Sequence, residues 1–352
     1  MTAQIPKVQV YLKKSAPSPG NGEAGRVAVI GAFNSEETSP QLFTNLEDAQ
    51  TALGTDTSFN GVACLPYIFR GATNVLAVNT TTWTGSGSNK TADKELTTAK
   101  LSEALAKIKG ENWDILFIAE PLSDAFIVIV DQFLIDCFEM KYPAGFIGAL
   151  NGANDAANIT TAGKAGEHCY GLLTQQLTVD GVDLSVLLSA AYYTGVVAGM
   201  TVGNTMTMKT VPYVTGVNPE LSFETGGAGK SLVEAGITTV KCQDRGAGNY
   251  IVVNSEQPNG FDLYVNRVRD YVVKAMSLHQ FLGERNRNAT LNEIKHELDR
   301  VKNECVNVLD LLRDIEFTVT KKSANCVDIY IKRLLFDGII TEINVYVTVE
   351  VE

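Results

Sequence analysis

The sequence predicts an α/β body with a mainly parallel, helix-covered sheet. It also predicts a smaller α+β unit, two long helices on a small sheet, and extended β arms at both ends of the chain. Three observations carry this. From about residue 26 to 174, short continuous apolar runs alternate with helical segments, as expected of strands buried on both faces. After Pro258 the apolar residues recur at three and four, then at two. At both termini a period of two, rich in β-branched residues, stands apart from the body.

The body begins at Arg26 with Val-Ala-Val-Ile-Gly-Ala, a buried-strand run. A helix over Leu46–Leu53 is framed by Asn45 and Gly54, and a second spans roughly Asn60–Arg70. Asn74–Val78 is the next strand. Residues 79–92 are mostly Thr, Gly, Ser and Asn and are expected to be an exposed loop. Helices over Leu96–Lys109 and Asp124–Lys141 alternate with strands over Asp114–Ala119 and Ala144–Leu150. The pattern continues through a Cys169–Thr174 strand, a Leu184–Val202 helix, a short Ser231–Ala235 helix and strands near 237–241 and 249–253. Phe261–Leu282 and Leu291–Leu312 read as long amphipathic helices. Three strands close the chain: Ile315–Lys321, Val327–Arg333 and Ile339 onward. The expected division is an arm and linker over 1–22, a body over 23–256, an α+β domain over 257–338 and a C-terminal strand over 339–352.

The two end segments set the main question. Ile343, Val345, Val347, Val349 and Val351 alternate with polar residues and end in Glu350 and Glu352. Near the start, Val8, Val10 and Leu12 alternate with Lys7, Gln9, Tyr11 and Lys13, and Lys14 follows. Residues 15–22, with Pro17, Pro19 and Gly20, read as a linker that lets the first strand pair away from its own domain. A strand needs partners for its backbone groups, and the small C-terminal sheet has an open edge.

Composition excludes several classes of function. A net charge of −11 argues against a general nucleic-acid binder. The six cysteines (64, 137, 169, 242, 305 and 326) form no CxxC pair, and the N-terminus has no secretory signal pattern, so reduced thiols in a cytoplasmic protein are expected. The apolar stretch from Val186 to Met200 is too short and too interrupted for a membrane span and reads as a buried helix. Glu224-Thr-Gly-Gly-Ala-Gly-Lys-Ser231 resembles a phosphate-binding loop, but Glu224 stands where the pattern needs its first glycine. The segment therefore reads as a structural turn into a helix. The three histidines (168, 279 and 296) make no metal pattern. Cys169 beside His168 is no dyad, since strand neighbours point to opposite faces. Asp131 and Asp136 read as solvated or capping. No active site, metal or cofactor is expected.

Several stretches, in order, carry a resemblance to a known family. These are Arg26-Val-Ala-Val-Ile-Gly-Ala, Phe43-Thr-Asn-Leu-Glu-Asp-Ala, Leu65-Pro-Tyr-Ile-Phe-Arg-Gly and Ala72-Thr-Asn-Val-Leu-Ala-Val. Leu232-Val-Glu-Ala-Gly-Ile, the helix opening at Phe261-Asp-Leu-Tyr-Val-Asn-Arg-Val-Arg-Asp-Tyr-Val, and the closing strands at 327–331 and 340–351 complete the set. Together they resemble the contractile tail sheath proteins of phages, phage-tail-like bacteriocins and related injection systems, most closely over about 260–352. The chain is short for that family, which implies that the outward domains of larger sheaths are absent.

The resemblance implies a subunit made in the bacterial cytoplasm that polymerises as a sleeve of stacked rings. The sleeve surrounds a tail tube, with baseplate and terminator or collar proteins at its ends, and no nucleic acid or membrane insertion is involved. It also implies terminal arms that invade neighbouring subunits, a C-terminal domain facing the tube, and contraction driven without ATP. The residues add detail. Lys7, Lys13 and Lys14 are expected to share an intermolecular sheet with Glu350 and Glu352, where each opposite cross-strand pair contributes about 0.2–1 kcal/mol. Hinges are expected at Pro17, Pro19 and Gly20, and at Asp337 and Gly338. Arg267, Arg269, Lys274, Lys321 and Lys322 are the candidate tube-facing cations. Two alternatives stand beside this reading: a non-contractile shell or appendage subunit, and a nucleotide-dependent enzyme built on residues 224–231.

Overall fold

Val27 and Val29 point to one face of the first strand and Ala28 and Ile30 to the other, and all four are completely buried. Such a strand needs cover on both sides, and the rest of the body supplies it. A computed structural model describes residues 25–339 except 87–88, 141, 244–248, 277 and 324–325.

The chain runs through β1 (Arg26–Gly31), β2 (Gln41–Phe43), α1 (Leu46–Leu53), α2 (Asn60–Ile68) and β3 (Asn74–Asn79). A hairpin, β4 (Thr82–Thr84) and β5 (Thr91–Asp93), precedes α3 (Thr98–Ile108). Then come β6 (Ile115–Ile118), α4 (Asp124–Glu139), β7 (Gly145–Ala149), α5 (Asp155–Ala162) and β8 (Cys169–Leu173). A small sheet follows, made of β9 (Gln176–Val179), β10 (Val182–Asp183) and β11 (Val214–Asn218), with α6 (Val186–Ala198) inserted before β11. The body closes with α7 (Ala228–Glu234), β12 (Val240–Cys242) and β13 (Tyr250–Val252). The last third holds α8 (Leu263–Ala275), α9 (Asn288–Asn303), β14 (Asp314–Ser323) and β15 (Cys326–Leu335).

The main sheet has the order β2-β3-β1-β6-β7-β8, parallel except for β2. Its five parallel strands follow the doubly wound order 2-1-3-4-5. α1, α2 and α6 pack on one face, and α3, α4, α5 and α7 on the other. The sheet is thus parallel and helix-covered, as the sequence predicts. α2 and α6 lie close together because small residues meet there: a Cβ on Gly195 would sit 2.4 Å from the Tyr67 carbonyl oxygen.

The sequence reading needs four corrections. Residues 79–92 are more than a loop, since β4 and β5 pair and Trp83 donates its indole N–H to the Ser35 carbonyl at 2.9 Å. The helix from Phe261 stops at Ala275 and gives way to a 3₁₀ turn at Leu278–Phe281. The second long helix starts earlier, at Asn288, and ends in a π turn at Glu304–Val308. Asp131 is neither solvated nor a helix cap: half-buried, it accepts the Gly166 N–H at 3.1 Å.

α8 determines how the last third meets the body. Its Val268, Val272, Val273 and Met276 form a separate apolar cluster with Ile294, Leu298 and Val301 of α9 and with Leu312 and Ile315. Its other side is buried but polar. Asn266, Arg267 and Asp270 are each at most 4% exposed. Arg267 donates to the Met200 and Thr201 carbonyls, at 3.0 and 3.3 Å, just beyond the C-terminal end of α6. That end attracts a cation. Tyr170 of β8 donates its hydroxyl to Asp270 at 2.7 Å. Lys274 bonds Asp114 at 2.6 Å, and Arg26 bonds the other oxygen of Asp114 at 3.2 Å. α8 therefore lies across the amino ends of β1, β6 and β8, while the outer edge of β8 is met by the Thr238 segment, whose N–H bonds the Leu172 carbonyl at 2.9 Å.

Burial pushes the Asp114 carboxyl up, but Lys274 and Arg26 outweigh it and hold the group below the ordinary carboxylate range. The clasp contributes fully above the unfolded-state pKa of about 3.9 and is lost as pH falls through the lower folded-state value. Asp114→Asn should cost about 3 kcal/mol at pH 7 by urea denaturation, because it leaves two largely buried cations without a counter-charge. The deficit relative to the parent should shrink below about pH 4.

Candidate functional site: the C-terminal hairpin and its anchor

β14 and β15 form an antiparallel ribbon with ten residues in each strand. Phe317 opposes Ile331, Val319 opposes Ile329, and Lys321 opposes Val327. Phe317, Val319, Val327, Ile329 and Ile331 pack onto the α8–α9 cluster. A two-stranded ribbon is marginal alone, so this one depends on the helices beneath it. Tyr330, which alternates with those apolar residues, is 53% exposed. Among the described residues neither ribbon edge has a further strand partner.

The segments expected to fill those edges lie outside the described residues. These are the N-terminal strand (Lys7, Val8, Val10, Leu12, Lys13, Lys14), its linker (Pro17, Pro19, Gly20) and the final strand (Ile343, Val345, Val347, Val349, Glu350, Val351, Glu352). The other hinge candidate is described. Phe336 meets Tyr264 edge-on at 5.6 Å, and the Tyr264 hydroxyl donates to the Asp337 carbonyl. The Asp337 carboxylate lies 3.5 Å from Arg313, and a Cβ on Gly338 would touch nothing within 4 Å. The chain is held through Asp337 and unencumbered at Gly338.

The five cations expected to face a tube separate into two groups. Lys321 and Lys322 are exposed on the ribbon; the first donates to the Asn286 carbonyl at 2.9 Å and the second lies 3.6 Å from Asp328. Arg267, Arg269 and Lys274 are directed inward. Arg267 is buried at the end of α6, and Lys274 is held by Asp114. Arg269 reaches Asp270 at 3.0 Å, Glu167 at 3.5 Å and the His168 ring at 3.3 Å. The physical reason is that α8 is buried on two sides, so its charged residues serve the joint with the body.

Sequence reasoning missed the lock at the start of α8. Asp262 caps the helix by accepting the Tyr264 N–H at 3.0 Å. Its other oxygen accepts the hydroxyls of Ser255, Thr207 and Thr205 at 2.6, 2.7 and 3.0 Å. An Asp just before an amphipathic run was the available signal; the hydroxyls come from distant loops.

The tempting chemistry has structural explanations. In the 224–231 segment the Gly227 N–H bonds the Glu224 carbonyl at 2.8 Å, and the Gly229 N–H bonds the Ser222 carbonyl at 2.9 Å. Those amides would have to face a phosphate in a phosphate-binding loop. Lys230 instead lies 3.7 Å from Glu234. His168 is buried against Phe138, and burial and then Arg269 lower its pKa to about 4. Burial raises the Cys169 thiol to about 12, and its Sγ lies 3.5 Å from Gln257. Among the described residues no three His, Cys, Asp or Glu side chains could hold a metal ion, and no helix is long and apolar enough to cross a membrane.

Doubly wound sheets hold ligands where strand order reverses, beyond the carboxyl ends of the strands. Here that point lies between β1 and β6. Phe33 is fully buried there; its backbone N–H donates to Asn79 Oδ1 and Thr81 Oγ1, and its carbonyl accepts the Thr81 hydroxyl. A Cβ on Gly61, at the start of α2, would lie 2.7 Å from the Phe33 ring. The crevice is filled by the chain itself.

Solved structures share this architecture over most of the chain. A sheath tail protein from Desulfitobacterium hafniense superposes with a TM-score of 0.66 at 13% identity, covering 88% of this chain and 93% of its own. One from Listeria innocua gives 0.62 at 13% identity, with 85% and 89% covered. The fold is that of the tail sheath proteins. The helical sheath of the anti-feeding prophage in its contracted state matches with a TM-score of 0.65 at 13% identity, over 96% of this chain and 98% of the other. No family model matches the sequence, and no curated protein does. The sheath fold thus comes into view through three-dimensional likeness, at an identity where side chains have diverged almost throughout.

Three expectations follow. Leu298→Ala, which removes a 2%-exposed side chain from beneath the ribbon, should cost about 3 kcal/mol and speed amide exchange in β14 and β15. Lys230→Ala should change stability by less than about 0.5 kcal/mol in denaturant titration, since it removes an exposed ion pair. Calorimetry of the parent chain with ATP should show no binding heat.

Proposed function

We propose that this chain is the structural subunit of a contractile tail sheath, a helical sleeve of stacked rings around an inner tail tube. The observation that carries the reading is the likeness over nearly the whole length of both chains, including the contracted sheath of the anti-feeding prophage. A second match, to a chain of that particle's baseplate, covers 99% of this chain and 100% of the other with a TM-score of 0.64. That supports baseplate proteins as neighbours at one end of the sleeve, with terminator or collar proteins at the other.

The ribbon supplies a mechanism of linkage. Its two edges, which have no further strand among the described residues, are sites for β-augmentation by strands from neighbouring copies. The period-two segments at 7–14 and 343–352 have the composition and length to be those strands. Backbone hydrogen bonds and the valine face would provide most of the affinity, and the lysine–glutamate pairs would favour register. A linker at 15–22 and the unencumbered Gly338 would keep the arms engaged while bodies rotate. In this reading residues 23–256 form the outer domain, residues 257–338 the tube-proximal one, and Lys321 and Lys322 are the cations left to face the tube. Contraction would draw on new contacts between bodies rather than on nucleotide hydrolysis.

The test compares the full chain with a copy lacking residues 1–14 by negative-stain electron microscopy. Long hollow tubes from the first and dispersed particles from the second are expected. Tubes from both would overturn the role given to the arm and move the linkage to the surfaces of the bodies.

A further inference from the structure

Two exposed apolar surfaces lie on opposite faces of the body, and neither takes part in anything described above. The first is the outer side of α4. Ala125, Val128, Gln132 and Ile135 recur there at helical spacing, and Val128 and Ile135 are 54% and 37% exposed. A surface helix normally turns charged residues to water along this stripe. The second is the segment before β11, where Met208, Lys209, Thr210, Pro212 and Tyr213 are exposed in near succession. Tyr213 is 69% exposed, the most of any large hydrophobic residue among those described, and Met208 is 46% exposed.

The second surface is built rather than loose. The Met208 and Val211 N–H groups bond the carbonyls of Val252 and Tyr250, each at 2.8 Å, and Val252 returns a bond to Lys209 at 3.0 Å. Met206 and Val211 anchor the segment in the core. Both Met208 and Tyr213 have a φ of 57°. Bulky side chains rarely adopt that left-handed conformation, and where the surroundings enforce it a function is commonly served. A rigidly held, exposed tyrosine is the kind of anchor that dominates protein interfaces.

Charge and placement identify the occupant. α4 carries four carboxylates (Asp124, Asp131, Asp136, Glu139) and no cation, although Lys109 lies 3.6 Å from Asp136. Residues 206–214 carry Lys209 and no carboxylate, with the Arg70–Asp180 ion pair near Tyr213. The segment belongs to the β1-Val27 and Val29 side of the sheet, α4 to the Ala28 and Ile30 side. We infer that the ridge at Met208–Tyr213 of one copy docks on the α4 stripe of a second copy of this chain. A contact between opposite faces is head-to-tail and builds rings or helices instead of closed pairs. The inference rests on the reading of the chain as a polymerising subunit and names a body-to-body surface for it, separate from the arms.

The test places the photo-crosslinker p-benzoylphenylalanine at position 213 of the full chain at assembling concentration, with cross-linked peptides identified by mass spectrometry. Cross-links to residues 124–139 of another copy are expected, in a ladder of dimers, trimers and longer products. A second preparation adds Val128→Lys and Ile135→Lys. It should lose the cross-link at least ten-fold while keeping the unfolding midpoint of the isolated chain. Cross-links to other peptides, none at all, or no loss in the lysine variant would overturn the contact. Tubes without the cross-link would remove this contact and leave the sheath reading standing. The cross-link in short oligomers that never form tubes would do the reverse.

Discussion

The rest of the structure depends on a helix that must be buried on two sides. α8 gives its valines to the α8–α9 cluster and its polar residues to the body, where it crosses the amino ends of the parallel strands. A buried polar joint is strict about geometry, because each charged group must find its partner or lose hydration without return. Arg267, Asp270 and Lys274 therefore fix where α8 sits along the sheet edge, and Asp262 with its three hydroxyls fixes where it starts. The position of the ribbon follows, since it lies on α8 and α9. Pulling the last third away would leave Asp114, Asp270 and Arg267 without their partners, so body and ribbon are coupled through that joint.

That coupling has a mechanical consequence. A force applied at β14 and β15 passes through α9 and α8 into the main sheet by way of packed side chains and the Lys274–Asp114 bond.

The sequence disclosed the body well because its signals are local. Asn45 and Gly54 frame α1 to the residue, and the Asn45 side chain accepts the Asp48 N–H as a cap should. The parallel strands are legible because burial on both faces removes polar residues from them. Short or non-local elements were not legible. β9 pairs with β11 across the inserted α6, and no local pattern marks that pairing. The inward turn of Arg267, Arg269 and Lys274 was hidden for a different reason. A charged position on an amphipathic helix reads as solvent-facing unless a second surface is known to cover it. Likeness to the sheath fold was legible from motif order alone, although identity with the solved examples is only 13%.

Phe33 has a consequence for what this scaffold could become. The doubly wound sheet keeps the layout that elsewhere cradles small molecules, with the crevice closed by one aromatic ring against Gly61. The backbone around the ring is tied by Asn79 and Thr81 and does not need the ring to hold its shape. Shortening that one side chain would leave a dry, apolar hollow at the switch point, of the kind that accepts small hydrophobic guests. In evolutionary terms the fold stands one substitution from a pocket, and residue 33 is where an engineer seeking to make the chain answer to a small molecule would begin.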